Sequence, residues 1–168
     1  MRLETLTQVL LCATSISALP SIDTENIGTK LLIPGTNYCG RGDRARSFDD
    51  LGSSLSEDLC CRDHDYCDDY ILPGETKYGL HNDWLLFVVS NCDCDRRFLQ
   101  CLNAADTILS KTIKFGYFNL INVKCFTYDY PRICTKRSWW KNSCKESIID
   151  YKSPKKWQWR DLKDDPDY

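Results

Sequence analysis

The stretch DLCCRDHDYCDD, Asp58 to Asp69, places three cysteines, one of the chain's two histidines and five aspartates within twelve residues. Two chemistries suit such a cluster: thiolates and an imidazole gathered on a metal ion, or disulfides built around a reactive histidine. Read as a helix, the stretch has two sides. Cys60, His64 and Cys67 fall at i, i+4 and i+7 and share one face, while Cys61, Asp65 and Asp68 share the neighbouring stripe. Ser56-Glu57-Asp58 supplies a cap candidate and first-turn acids, so the helix is expected to run to about Tyr70 and to end at Pro73-Gly74.

The rest of the chain favours bridges over zinc. Its 168 residues suit one domain with a short appendage, and eleven cysteines do not suit a reducing compartment. Met1 to about Leu19 reads as a secretory signal, with Arg2 early, an apolar run from Val9 to Ala13 and small residues before Pro20. Removing it takes away Cys12 and leaves ten cysteines, an even number suited to five bridges. Residues 20–30 are polar and read as a pro-segment, with the packed domain starting near Leu31. No later apolar run approaches the length of a membrane span, so the product is expected to be secreted and soluble. Twenty-two basic against twenty-four acidic residues give a net charge of −2, which predicts no nucleic-acid partner.

Ile33 to Arg46 (IPGTNYCGRGDRAR) is rich in glycine and turn formers and reads as a loop. A second helix is expected from near Asn82 to about Ser110, with Cys94, Phe98, Cys101, Ala105 and Ile108 on one stripe. From Phe115 on, loosely alternating aromatics and β-branched residues allow short strands or loops. Trp157 and Trp159, on alternate positions of a charged tail, read as a strand edge packing back on the domain.

Several stretches together resemble the secreted phospholipases A2, in the group III, bee-venom-like branch: YCGRGD (38–43), CCRDHDYCDD (60–69), PGETKYGLHND (73–83), CDCDRRFLQCL (92–102) and YFNLI (117–121). The match is dense from Leu31 to Cys125 and looser through SPKKWQW (153–159). The resemblance implies a mainly α, small disulfide-rich fold: two long antiparallel disulfide-linked helices, a Gly-rich calcium loop and a short β/loop C-terminal region. On that basis residues 31–127 form the phospholipase core and 128–168 a C-terminal extension with a small disulfide loop.

The resemblance also implies function and site. The activity would be Ca²⁺-dependent hydrolysis of the sn-2 ester of glycerophospholipids by a monomer at a bilayer or micelle surface. The ligands would be the backbone carbonyls of Tyr38, Gly40 and Gly42 and the carboxylate of Asp65, a donor set suited to a hard cation. His64 would be the general base, Asp95 its hydrogen-bond partner, Tyr117 a support for that aspartate, and the Gly40 N–H an oxyanion donor. The implied bridges are Cys39–Cys61, Cys60–Cys101, Cys67–Cys94, Cys92–Cys125 and Cys134–Cys144. Given Cys60–Cys101 and Cys67–Cys94, His64 lies level with Arg97 and only about 3 Å along the axis from Asp95. Spacing alone does not choose among the connectivities.

The chain departs from that branch at Asn82–Ser90 (NDWLLFVVS), which is more apolar. Trp84, Leu85, Phe87 and Val88 are therefore candidates for docking on a bilayer, and entry into the core is the competing reading. His81 is assigned to solvated surface, as are the basic residues between Lys136 and Lys156 with Trp139 and Trp140 among them. A non-catalytic toxin subunit or receptor ligand, with a protein receptor as partner, is the alternative function.

Overall fold

The computed structural model describes residues 31–122, 124–138 and 144–164. The signal and pro-segment readings, and Trp139 and Trp140, lie outside the described residues.

The described residues form three α-helices, α1 (Leu55–Asp65), α2 (Cys92–Ala105) and α3 (Ile108–Lys114), the last running into a π-helical turn at Phe115–Ile121. The strands are β1 (Tyr70–Ile71), β2 (Thr76–Lys77), β3 (Leu80–His81), β4 (Val89–Ser90), β5 (Cys125–Asp129), β6 (Arg132–Arg137), β7 (Cys144–Ile149) and β8 (Lys156–Arg160). They pair antiparallel as four two-stranded sheets among the described residues: β1–β4, β2–β3, β5–β8 and β6–β7.

This corrects the expectation of a mainly α fold with two long helices. The first helix stops at Asp65, short of Tyr70, because the Cys67 N–H turns back to the His64 carbonyl (3.1 Å) and Tyr70–Ile71 pairs with β4. The second begins at Cys92 rather than near Asn82. The Asn91 side chain accepts the Asp93 N–H at 3.0 Å, capping a helix inside what reads as one apolar run. It ends at Asp106, which adopts left-handed φ (48°), and Thr107 opens α3 with a capping box to Ser110. Ile108 thus leaves the expected stripe and is 87% exposed. Beyond it, FGYFNLI is helical rather than extended. Ile113, Tyr117 and Phe118, at i, i+4 and i+5, belong to the same core as Phe98 of α2.

Two cores result. The larger lies between α1, α2, α3 and the N-terminal loop, around Tyr38, Phe98, Leu99, Leu102, Ile113 and Phe118. The smaller centres on Ile71, Val89 and Phe126, with Trp84, Trp157 and Trp159 packed against it. β8 lies beside β5 with Trp159 opposite Phe126 and Trp157 opposite Tyr128, and Trp157 stacks on Tyr78 at 3.8 Å between centroids. The alternating tryptophans therefore do pack back on the domain.

Candidate active site

The disulfide Cys60–Cys101 joins α1 to α2, and Cys67–Cys94 joins the chain two residues past α1 to the start of α2, so the two segments run in opposite directions. Between these bonds the His64 Nε2 meets Asp95 Oδ1 at 2.7 Å. His64 is stacked on Phe98 (4.6 Å, 24° between planes) and meets Tyr117 edge-on at 5.2 Å. These contacts fix the ring against rotation. The Tyr117 hydroxyl donates to the same Asp95 oxygen at 3.2 Å.

Asp95 is 1% exposed, and its Oδ2 has no hydrogen-bond partner among the described residues. Burial pushes its carboxyl above the ordinary range, and the hydrogen bonds from His64 and Tyr117 oppose that. Burial likewise pushes the Tyr117 hydroxyl well above its usual value, helped by the nearby Asp95 carboxylate, so it stays a donor. With the carboxylate accepting, the hydrogen of a neutral His64 sits on Nε2 and the lone pair on Nδ1. The arrangement is an oriented base.

The second stripe of α1 faces the glycine loop. Cys61 bonds Cys39, which lies between Tyr38 and Gly40. Gly40 has φ +140°, and a Cβ there would lie 2.0 Å from the Leu31 carbonyl oxygen; Gly42 has φ +74°. The clash restricts Gly40 to glycine, and the left-handed φ of Gly42 favours it. Hydrogen bonds among the described residues take the carbonyls of Leu31, Asn37 and Cys39 but leave those of Tyr38, Gly40 and Gly42 untaken. Loss of hydration pushes the Asp65 carboxyl up to about 7, with the Asp43 and Asp58 carboxylates adding and His64 opposing. Uncommitted carbonyls beside crowded carboxylates are a donor set for a hard cation. A thiolate centre is a poor alternative: all ten cysteines from Cys39 to Cys144 are in disulfides, and no three His, Cys, Asp or Glu side chains converge on a metal site among the described residues.

One residue escaped the sequence reading. Asp58, fully buried, accepts backbone N–H groups from Asn37 (2.9 Å to each oxygen), Tyr38 (2.7 Å) and Gly52 (2.7 Å). Its partners are backbone atoms, six residues away at Gly52 and 20 and 21 away at Tyr38 and Asn37, which leave no side-chain signature in a sequence.

The other candidates are spread more widely. Leu85 is 87% exposed and Val88 44%, whereas Trp84 and Phe87 are half-buried and meet edge-on at 5.8 Å. His81 is exposed and meets the Thr76 hydroxyl across the β2–β3 hairpin at 2.8 Å. Cys92–Cys125 ties α2 to β5, and Cys134–Cys144 links β6 to β7.

The sequence pattern of the family described as Phospholipase A2 matches residues 32–129. A phospholipase A2 of Apis mellifera is 38% identical over 144 residues, covering 84% of each chain. One of Xylocopa appendiculata circumvolans is 38% identical over 133 residues, 79% of this chain and 73% of the relative. A human group 3 secretory phospholipase A2 is 38% identical over 108 residues, 64% of this chain but 21% of that longer protein. The chain therefore belongs to the phospholipase A2 family of enzymes, in its group III, bee-venom-like branch.

Proposed function

We propose that this chain is a secreted phospholipase A2 that requires Ca²⁺ and hydrolyses the sn-2 ester of glycerophospholipids to a lysophospholipid and a free fatty acid. The observation that carries the reading is the His64–Asp95 contact of 2.7 Å, clamped by two disulfides beside a glycine loop whose Tyr38, Gly40 and Gly42 carbonyls accept no hydrogen bond seen among the described residues.

His64 Nδ1 takes a proton from the water that attacks the ester carbonyl, and Asp95 holds the resulting imidazolium through Nε2. Tyr117 holds the Asp95 carboxylate by its hydroxyl. The Gly40 N–H is the backbone donor for the developing oxyanion. The carbonyls of Tyr38, Gly40 and Gly42 and the carboxylate of Asp65 would hold calcium, which when bound supplies Lewis-acid polarisation of the ester carbonyl. The water is the nucleophile, so no serine is needed.

Its working surface is a phospholipid bilayer. Leu85, Leu86 and Val88 form an exposed apolar tip (87%, 57% and 44%). Trp84 packs against the smaller core, and Phe87 meets Trp84 edge-on beside that tip. The tip lies in the segment between β1 and β4, which joins the end of α1 carrying His64 to the start of α2 carrying Asp95. Burying these side chains in the headgroup boundary would hold the site against its substrate. Five disulfides and the secretory relative favour export.

The test is release of fatty acid from phosphatidylcholine vesicles labelled separately at sn-1 and sn-2. The native protein is expected to release the sn-2 chain only with calcium present, and His64→Gln to release none. No release by the native protein would return the chain to a non-catalytic toxin subunit or receptor ligand. Release that survives chelation would remove calcium from the mechanism, and release from sn-1 would change the bond cleaved.

A further inference from the structure

We infer that Asp58 is the positioning residue of the calcium loop: its buried carboxylate sets the loop in its ion-accepting shape before any ion arrives. The inference rests on the proposed calcium role of Tyr38, Gly40 and Gly42.

α1 reaches the loop at three levels of one stripe, since Asp58, Cys61 and Asp65 fall at i, i+3 and i+7. Cys61 holds Cys39 covalently, and Asp65 is the proposed carboxylate ligand. Asp58, nearest the helix start, holds the two residues that lead into the loop. The Asn37 N–H is shared between both of its oxygens, the Tyr38 N–H goes to Oδ1 and the Gly52 N–H to Oδ2. Charge-assisted bonds of this kind are short and strong, and here the acceptor is sealed from water.

The consequence is directional. Across a trans peptide the N–H and C=O point opposite ways, so turning the Tyr38 N–H to Asp58 turns the Asn37 carbonyl outward. There it accepts the Arg44 N–H at 2.9 Å, and the Arg44 side chain closes on the Thr36 carbonyl at 2.7 Å. Tyr38 is then tethered three times: its N–H to Asp58, its hydroxyl to the Ser47 and Phe48 carbonyls (2.9 and 3.1 Å), and its successor Cys39 by disulfide. Its own carbonyl is the group left over. Gly52, the third donor, comes from the chain just before α1 and closes against Gly35, where a Cβ would lie 2.2 Å from the Gly35 carbonyl oxygen. One carboxylate thus ties both strands of the loop to the helix that carries His64 and Asp65.

Asp58→Asn keeps the volume but replaces one acceptor oxygen by a donor, leaving at least one buried N–H unanswered. The full-length, disulfide-intact Asp58→Asn protein is expected to bind calcium about 10- to 100-fold more weakly by titration calorimetry with the ion alone. The calcium concentration for half-maximal hydrolysis should rise by the same factor, while kcat at saturating calcium stays within a few-fold of native. Native calcium affinity in a folded Asp58→Asn protein would overturn the inference, as would a fall in kcat with no change in calcium affinity. Should that variant fail to fold, amide hydrogen exchange on the native protein without calcium decides the matter. Slow exchange at Asn37, Tyr38 and Gly52 is expected; fast exchange that slows only on adding calcium would mean that the ion, not Asp58, shapes the loop. A native chain that takes up no calcium would remove the site itself, and with it this role.

Discussion

Two stripes of α1, one residue apart in sequence, are held by different kinds of contact. Cys60, His64 and Cys67 meet side chains of α2: two cysteines, and the carboxylate of Asp95. Asp58 and Cys61 meet the N-terminal loop, one through backbone N–H groups and one through Cys39, and Asp65 continues their stripe. In the proposed mechanism the first stripe fixes a proton-transfer pair and the second shapes the ion-binding loop. A single helix 11 residues long, with Cys67 two residues past its end, serves both because its faces turn by about 100° per residue. The division predicts that each half can be damaged without the other.

Asp95→Asn gives the largest expected effect. Replacing the acceptor by an amide misorients His64, so hydrolysis at saturating calcium should fall about 10³-fold or more. Calorimetric calcium affinity should stay native; a parallel loss of calcium binding would erase the distinction between the stripes. Gly40→Ala strikes the other half. The added Cβ collides with the Leu31 carbonyl at a φ that costs on the order of 1–3 kcal/mol. Calcium affinity should drop at least about tenfold, while the downfield imidazole proton of the His64–Asp95 bond persists in the NMR spectrum.

A smaller effect should come from Leu85→Ser with Leu86→Ser. Removing two exposed apolar side chains should weaken binding to zwitterionic vesicles by about 2–4 kcal/mol, by flotation or surface plasmon resonance. Turnover of a soluble monomeric ester should be unchanged, and loss of both would mean that the tip supports the smaller core instead. Tyr117→Phe is the mildest. It removes one hydrogen bond to Asp95, worth about 0.5–1.5 kcal/mol, so kcat should fall roughly three- to tenfold with calcium affinity intact.

The same contrast explains what could be read in advance. Cys60, His64 and Cys67 announce themselves because side chains that work together recur at helical spacing. Asp58 announces nothing, because its partners are main-chain groups that any residue carries. The element ends failed for a related reason. Asn91 directly follows the apolar run Asn82–Ser90, whose hydropathy masks its cap, and the left-handed turn after α2 falls on Asp106, where no glycine marks it. FGYFNLI reads as short strand or loop from its loosely alternating aromatic and β-branched residues, yet α3 leads into it already helical and Phe118 is buried in the same core as Phe98. Tertiary packing decided that segment.

The adjacent cysteines carry a consequence for oxidative folding. Cys60 and Cys61 point to partners on different sides of α1, Cys101 in one case and Cys39 in the other. Were they to exchange partners, a molecule with the same mass and no extra free thiol would result. Its helix would have rolled by about 100°, carrying His64 away from Asp95. In refolded material, the fraction with native specific activity therefore counts the molecules in which this neighbouring pair was sorted correctly.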